Sequence, residues 1–235
     1  MESVQAPITV MQRVEWKYIL NAEQTDFFCE RLKGHMEPDA YGLTTIQSLY
    51  YDTPDKRLVR TSIEKPAFKE KIRLRAYGRV TNESPVFLEL KRKAFGIVYK
   101  RRVQTTVPEA ERFFAGELNL DETGQIDREI TYFRDFYQKL EPACMILYDR
   151  TAYYEPDGDL RLTIDRNPRY RIDALSFDHA PVGIPLLNPG DTILEIKVQD
   201  TIPLWLVRIL SEGQIKRGSI SKYGEAYRRS MPVRR

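Results

Sequence analysis

Histidine and cysteine are scarce in this chain of 235 residues, with two of each. Cys29 and Cys144 lack the close spacing of a zinc or redox motif, so we expect two buried free thiols. His35 and His179 are equally isolated, which argues against a mechanism centred on histidine. No glycine-rich Walker motif is present, and a P-loop nucleotide site is therefore excluded.

Long apolar runs are also missing. No segment approaches the roughly 20 apolar residues that a membrane-spanning helix needs. Residues 1–16 lack the charged and apolar regions of a signal peptide. We therefore expect a cytoplasmic protein with no direct membrane span. Hydrophobic residues make up 42% of the chain and charged residues 30%, which favours a folded globular protein over a disordered one.

One stretch, KEKIRLRAYG at residues 69–78, carries a cation at every second position. Because the side chains of a strand alternate between its two faces, Lys69, Lys71, Arg73 and Arg75 would share one face. The net charge of the whole chain is only +3, so this concentration arises from arrangement and not from a bulk excess of cations.

The same alternation of apolar and charged residues recurs along the chain. It predicts strands at 13–20, 46–53, 69–78, 86–93, 98–107, 145–155, 160–166 and 192–200. Other patterns predict helices at 21–36, 108–118, 126–140, 202–213 and 219–229. Asn21 is the expected N-cap of the first helix. A turn at 156–159 predicts a hairpin, and the proline-containing segment 171–191 is expected to be irregular.

Like charges crowded on one sheet face repel each other. Two unit charges about 4 Å apart repel by roughly 4 kcal/mol at an effective dielectric constant of about 20. A solvated sheet face usually mixes both signs, whereas few carboxylates share this pattern: Glu15, Glu89, Asp165 and Glu195. A barrel with apolar strand faces packed outward against helices and charged faces lining a wet interior accounts for the pattern. It predicts a binding site for a molecule with many negative charges in a line.

The charged strands resemble, in order, the triphosphate-tunnel (CYTH-like) superfamily. The motifs are RVEWKYIL, SLYYDT, KIRLRAYG, FLELKRK, YKRR, YDRTAYY, RLTID, LEIKVQ and SISKYG. They are most similar to the polyphosphate polymerase branch, the catalytic domain of the vacuolar transporter chaperone complex, over nearly the whole chain. This resemblance implies one α+β domain over 1–235, in which an antiparallel β-barrel forms a tunnel with a basic interior and helices outside.

The resemblance also implies an activity, which is transfer of the γ-phosphate of ATP to a growing polyphosphate chain with Mn²⁺ or Mg²⁺. The residues that would be catalytic and grip phosphate are Arg73, Arg75, Arg150 and Arg161. Those that would bind phosphate or nucleotide are Lys17, Lys71, Lys91, Lys100, Lys197, Ser221 and Lys222. Glu195 would be the metal ligand, with Glu15 and Glu89 as rivals.

The first strand departs from the wider superfamily, whose hydrolases and cyclases begin with Glu-x-Glu-x-Lys. Here Arg13 replaces the first acid of that pattern, ahead of Glu15 and Lys17. The exchange lowers metal capacity and adds phosphate affinity, which favours the polymerase branch over a triphosphatase. We expect neither the phosphate-sensing N-terminal domain nor the membrane spans of the eukaryotic complexes, and any protein partner is unidentified.

The residue types suit phosphoryl transfer. The planar fork of an arginine pairs with two phosphate oxygens. A terminal phosphate, with a second pKa of about 6, is largely ionised at neutral pH and needs no general base. A hard divalent ion keeps water ligands, so one carboxylate together with phosphate oxygens can hold it.

Two other functions stay open on the sequence alone. The same site could hydrolyse triphosphates or polyphosphate with a metal, or it could bind polyphosphate without turnover. Nucleic-acid binding is not expected, because a narrow barrel excludes a duplex and no basic stretch interleaved with stacking aromatics is present.

Individual residues also have structural alternatives. Glu195 could pair with Lys197 or another cation, and Ser221 could be an ordinary helix N-cap. Asp165 is expected to orient an arginine and not to bind metal. Four tyrosines are expected to pack and not to stack on bases: Tyr50, Tyr51, Tyr153 and Tyr154.

Overall fold

Strands that alternate charged and apolar side chains build an antiparallel sheet, which helices cover. The structure is a computed structural model that describes residues 14–95, 97–120, 124–199 and 201–231. Its strands are β1 (Val14–Leu20), β2 (Glu37–Pro38), β3 (Thr44–Asp52), β4 (Phe68–Tyr77), β5 (Val86–Ala94), β6 (Ile97–Thr105), β7 (Glu141–Tyr154), β8 (Arg161–Arg171), β9 (Ile184–Pro185), β10 (Thr192–Val198) and β11 (Arg217–Gly218). Its helices are α1 (Ala22–Leu32), α2 (Arg57–Glu64), α3 (Val107–Phe114), α4 (Gln125–Tyr137), α5 (Leu204–Glu212) and α6 (Lys222–Ser230). The α+β class predicted from the sequence is confirmed.

Each predicted strand and helix is present, with bounds that shift by a few residues. Helix α1 ends at Leu32, earlier than predicted, because Lys33 leaves the helical conformation and Gly34 has a φ of +82°. The predicted hairpin is confirmed by the antiparallel register of β7 and β8. Arg13 and Asp200, at the ends of two predicted strands, lie outside the described residues.

The sequence pattern does not predict α2 or the two-residue strands. Lys56, which precedes α2, offers no capping side chain. Instead, the carboxylate of Asp52 accepts hydrogen bonds from the backbone N–H groups of Leu58 at 2.8 Å and Val59 at 3.0 Å. The hydroxyl of Tyr223 donates to the same carboxylate at 2.7 Å. A residue at the end of β3 therefore caps this helix, and a search for a local cap misses it.

The strands form one sheet in the order β11-β1-β10-β8-β7-β3-β4-β5-β6, with β2 added to β7 and β9 to β8. Every pairing among the described residues is antiparallel. The prediction of a closed barrel is wrong, because no pairing in the described part of the chain joins β6 to β1 or β11. The charges of Glu15 and Lys91 nevertheless interact, as do those of Lys197 and Lys100. Because these strands are far apart in the sheet order, the sheet must curl to bring them near each other. Its two ends approach through long charged side chains and not through backbone hydrogen bonds.

The apolar face of the sheet is buried under helices, as the alternation predicts. At one end, Leu74 and Leu88 pack with Phe113 of α3 and Phe133 of α4. At the other end, β1, β8 and β10 pack in the same way with residues of α1 and α5. These two clusters lie on the face opposite to the charged side chains. Within the described ranges, no helix combines the length and apolar character that a membrane span requires.

Helix α6 is an exception, because it packs against the charged face. Tyr223 and Ala226 of α6 share a buried cluster with Tyr50 and Ile146. The register pairs Tyr50 with Arg73, which places both on the charged face. The expectation that the helices pack outside is thus wrong for α6. The reason is local, since this part of β3 and β7 carries apolar and aromatic side chains that need cover.

Replacing Leu74 with alanine tests the assignment of the two faces. Leu74 is fully buried on the apolar face, so L74A is expected to lower the free energy of unfolding by about 2–5 kcal/mol. Lys93 is exposed on the charged face, and K93A is expected to change it by less than about 0.5 kcal/mol. Urea unfolding followed by circular dichroism measures both variants. Equal losses in both would contradict the assignment.

Candidate functional site

Two rows of side chains run across β4, β5 and β6 on the charged face. The register sets their members directly opposite one another, and we call them the lysine row (Lys71, Lys91 and Lys100) and the arginine row (Arg73, Glu89 and Arg102). Both rows line a cavity of about 320 Å³. Directly opposed like charges destabilise a sheet. The arginine row contains a carboxylate, Glu89, whereas the lysine row contains cations only.

One carboxylate holds the arginine row together. Glu89 accepts hydrogen bonds from Arg73 at 2.8 Å and Arg102 at 2.9 Å, and it lies 3.6 Å from Arg75. Burial alone would raise the pKa of Glu89, but the charges of these arginines lower it to about 2. Glu89 therefore positions three guanidinium groups around the cavity.

The lysine row has no such carboxylate. Among the described residues, no carboxylate lies within ion-pair distance of its members, and Lys71 donates instead to the hydroxyl of Ser221 at 3.0 Å. Burial, and then the charge of Lys91, lowers the pKa of Lys71 to about 8. The side chain of Lys100 is open to the cavity, yet partial desolvation and the charge of Lys197 lower its pKa to about 8. An anion from outside the chain would relieve the repulsion among these cations.

Asp165 on β8 orients an arginine, as predicted. Its fully buried carboxylate accepts two hydrogen bonds from Arg150, at 2.6 and 2.8 Å, and also pairs with Lys222 at the start of α6. Burial would raise the pKa of Asp165, but the charges of Lys222 and Arg150 lower it. The carboxylate is thus committed to two cations, one of which is the arginine that it orients.

Glu195 on β10, the predicted metal ligand, lies among four cations. Its carboxylate is 2.9 Å from the ammonium group of Lys17 and 3.5 Å from that of Lys197. Arg150 and Lys222 follow at 3.7 and 3.8 Å. These charges hold the pKa of Glu195 well below its ordinary value, against the effect of burial. Glu195 therefore pairs with neighbouring cations, and its role as a metal ligand stays a prediction.

A metal ion at Glu195 needs further ligands from outside the chain. Glu15 also pairs with Lys17, at 3.4 Å, so two carboxylates flank one ammonium group. No group of three or more carboxylate, histidine or cysteine side chains that could hold a metal occurs in the ranges that the structure describes. Mg²⁺ commonly takes one or two carboxylates and completes its shell with water and phosphate oxygens. The residues fit a divalent ion shared with phosphate, and they do not fit one held by protein alone.

The start of α6 joins the lysine row to these carboxylates. Ser221 is its N-cap and accepts a hydrogen bond from the backbone N–H of Gly224 at 3.2 Å, so the N-cap alternative is confirmed. The same hydroxyl accepts from Lys71, and the next residue, Lys222, pairs with Asp165. The start of helix α6 thus lies between the lysine row and the carboxylate of Asp165.

Charged side chains of β1 and β10 act on charged side chains of β5 and β6, at the other end of the sheet. The charge of Lys91 on β5 lowers the pKa of Glu15 on β1, although burial opposes this effect. The charge of Lys197 on β10 helps to lower the pKa of Lys100 on β6. These strands lie near opposite ends of the sheet order. The charged side chains at the two ends of the sheet therefore lie close enough to act on one another.

The structure brings most of the predicted site residues together. They are Lys17, Lys71, Arg73, Arg75, Lys91, Lys100, Arg150, Glu195, Lys197, Ser221 and Lys222. Arg161 is set apart, because its exposed guanidinium donates to the backbone oxygens of Gly158 at 3.2 Å and Leu160 at 3.0 Å. The functional roles of all these residues, including Arg161, stay predictions.

Sequence reasoning did not assign to the site two residues of the charged face that line the cavity, Tyr50 and Arg102. Arg102 follows Lys100 by two positions in YKRR, so strand alternation was an available signal for it. Tyr50 was expected to pack, and its place on the cavity wall depends on which face of β3 is charged. The register of Tyr50 with Arg73 shows that Tyr50 lies on the charged face, and the sequence alone does not give this register.

Comparison with known proteins adds a family. The profile of the VTC domain family matches residues 12–231. A search of curated proteins found no match to this chain.

Solved structures share the fold at low sequence identity. A candidate adenylate cyclase from Bacillus halodurans is 15% identical with a TM-score of 0.55, over 89% of this chain and 93% of that one. A candidate adenylyl cyclase from Hippeastrum, described as having a dominant triphosphatase activity, is 16% identical with a TM-score of 0.56, over 94% and 98% of the two chains. At these identities the similarity shows a common fold.

Replacing Glu89 with glutamine tests the electrostatic role of this carboxylate. The depressed pKa of about 2 means that the carboxylate stabilises the fold above its unfolded-state pKa and loses this effect as the pH falls toward 2. E89Q is therefore expected to lower the free energy of unfolding by about 2–3 kcal/mol at pH 7 and by roughly half as much at pH 3.

Urea unfolding across this pH range measures the difference. The control is E30Q, because Glu30 is an exposed residue on α1 that pairs with Lys33. A penalty for E89Q that does not change with pH, or that equals that of E30Q, would contradict the assigned role.

Proposed function

This chain belongs to the VTC domain family, and we propose that it is an ATP-dependent polyphosphate polymerase. The observation that carries the proposal is the lysine row, whose cations line a cavity and have no carboxylate within ion-pair distance among the described residues. ATP and polyphosphate both present phosphates in a line, and such a ligand would meet the cations of both rows and those around Glu195. No nucleic acid is proposed as a ligand.

The curled sheet would act as a tunnel for the phosphate chain. On one side, the chain would contact the lysine and arginine rows. On the other, it would contact Lys17, Arg150 and Lys197, whose present partners are carboxylates. Ser221 and Lys222 would border the tunnel where α6 covers the charged face. Phosphate would thus attract the cations on both sides of the tunnel and offset the repulsion between them.

The reaction requires alignment and charge neutralisation more than proton transfer. Arg73 and Arg75 would grip the γ-phosphate of ATP, because each guanidinium fork can pair with two phosphate oxygens. A terminal oxygen of polyphosphate would attack the γ-phosphorus, and the bond from that phosphorus to the β-phosphate oxygen would break. ADP would leave, and the chain would be longer by one phosphate. The attacking oxygen is already ionised at neutral pH, so no general base is needed.

Glu195 and Glu15 would hold Mn²⁺ or Mg²⁺ together with phosphate oxygens. When bound, the ion would supply positive charge to the phosphates around the transferred group. Both carboxylates pair with Lys17, so the remaining ligands of the ion would be phosphate oxygens and water.

Hydrolysis of triphosphates or polyphosphate is the second candidate. Glu15 and Glu195 lie on neighbouring strands and flank one ammonium group, and two carboxylates in this arrangement favour a metal that activates water. The Hippeastrum protein with the same fold, which is described as a triphosphatase, motivates the same test.

Purified protein incubated with ATP and Mn²⁺ or Mg²⁺, with products separated on a gel, distinguishes the candidates. We expect a ladder of long phosphate chains, with ADP formed in step. Orthophosphate without chains would indicate hydrolysis. Binding of polyphosphate without any turnover would leave a binding module, and both of these results would contradict the polymerase proposal.

Arginine variants locate the activity within the site. R73A is expected to reduce chain synthesis by roughly 100-fold or more, because one donor to the transferred group is lost. R161A is expected to lose synthesis as well, while its fold, followed by circular dichroism, stays intact. The control is R31A, since Arg31 forms an exposed ion pair with Glu212 far from the charged face. Wild-type rates in both site variants would refute the assigned site.

A further inference from the structure

Two adjacent tyrosines on β3 point in opposite directions. Tyr50 lines the cavity beside the arginine row, in register with Arg73. Tyr51 lies on the apolar face, where its ring stacks on that of Phe114 at 3.6 Å between centroids. The two residues are thus matched in type and position and differ in the environment that their hydroxyl groups meet.

The hydroxyl of Tyr50 is an incomplete hydrogen-bonding group. It accepts a hydrogen bond from Arg73 at 2.9 Å. Within the described part of the chain, no oxygen or nitrogen accepts its own proton, although the residue is only 9% exposed. A buried hydroxyl with an unused donor is unfavourable, so such donors usually have a partner.

The groups around Tyr50 explain why the chain supplies no acceptor. The cations Lys71, Arg73 and Arg75 on β4 surround its hydroxyl, and none of them can accept a proton. Its other neighbours with titratable groups are Cys144, in register on β7, and Tyr223 on α6. An acceptor for this proton therefore has to come from the cavity, and a phosphate oxygen beside these cations would be one.

The ring of Tyr50 is held in place and cannot easily turn away. It stacks on Tyr223, with centroids 4.5 Å apart and planes 22° from parallel. Tyr223 is fixed in turn, because its hydroxyl donates to the buried carboxylate of Asp52 at 2.7 Å. Tyr50 is thus held in its place on the cavity wall by the ring of Tyr223.

We propose that the hydroxyl of Tyr50 donates a hydrogen bond to a phosphate oxygen of the substrate, beside Arg73 in the arginine row. Tyr50 is then a substrate-contacting residue and not packing alone. The inference rests on the proposed function, since it takes a phosphate chain as the ligand of the cavity. A neutral hydroxyl donor between cations binds phosphate without adding to the repulsion among those cations.

The protonation state of Tyr50 is linked to this role. Burial would raise its pKa, but the charges of Arg73, Lys71 and Arg75 lower it to about 8. The proton must be present for the hydroxyl to donate, and a phenolate would repel phosphate. Bound phosphate should therefore hold the proton in place and raise the pKa of Tyr50.

The test compares Y50F with Y51F. Each variant removes one hydroxyl and keeps the ring, so both are expected to fold. Titration calorimetry with tripolyphosphate, without metal, measures binding to each. Y50F is expected to weaken binding by roughly tenfold, which is the loss of one hydrogen bond to a charged group. Y51F is expected to change it by less than about twofold, because its hydroxyl lies on the other face.

Tyrosinate absorbance gives a second readout that a packing role would not move. Titrated upward from neutral pH, the wild type and Y51F should each show one tyrosine that ionises near pH 8, and Y50F should lack it. Saturating tripolyphosphate should shift this ionisation to higher pH in the wild type.

The failure of this inference can be told apart from that of the proposed function. Wild-type protein that makes polyphosphate and binds tripolyphosphate, together with Y50F that binds it equally well, would overturn the role of Tyr50 alone. Wild-type protein that binds no tripolyphosphate would overturn the proposed function, and with it this role.

Discussion

Repulsion among cations that lack a counter-ion is the constraint on which this structure depends. The arginine row is neutralised by Glu89, and the opposite group of cations by Asp165 and Glu195. The lysine row has no carboxylate within ion-pair distance among the described residues, and burial with the charge of Lys91 lowers the pKa of Lys71. A fold that keeps such a row gives up stability there, which is typical of a binding site prepared for its ligand.

The sheet makes this arrangement possible by separating its apolar and charged side chains onto opposite faces. Apolar residues of the strands pack under helices on one face, so the charged residues gather on the other. The curl of the sheet then brings Lys100 and Lys197 near each other, although their strands are far apart in the sheet order. Helix α6 covers the part of this face that carries apolar side chains. The enclosed charge is thus a consequence of strand alternation together with curvature.

Much of the fold could be predicted because alternation is a local signal. Residues 69–78 show which side chains share a face, and the register of β4 with β5 then follows the same parity. Features set by distant residues were not predictable. Helix α2 is capped by Asp52 from the preceding strand, and the open edge between β6 and β1 depends on how far the sheet curls. Arg161 has the expected parity, but its guanidinium binds its own hairpin.

A crystal structure with tripolyphosphate tests the central claim most directly. The account predicts a line of phosphates inside the curled sheet, between the lysine row on one side and Lys17 and Lys197 on the other. The carboxylates of Glu89 and Glu195 would remain beside their arginines or lysines. Phosphate bound outside this space, or an unoccupied interior at saturating tripolyphosphate, would contradict it.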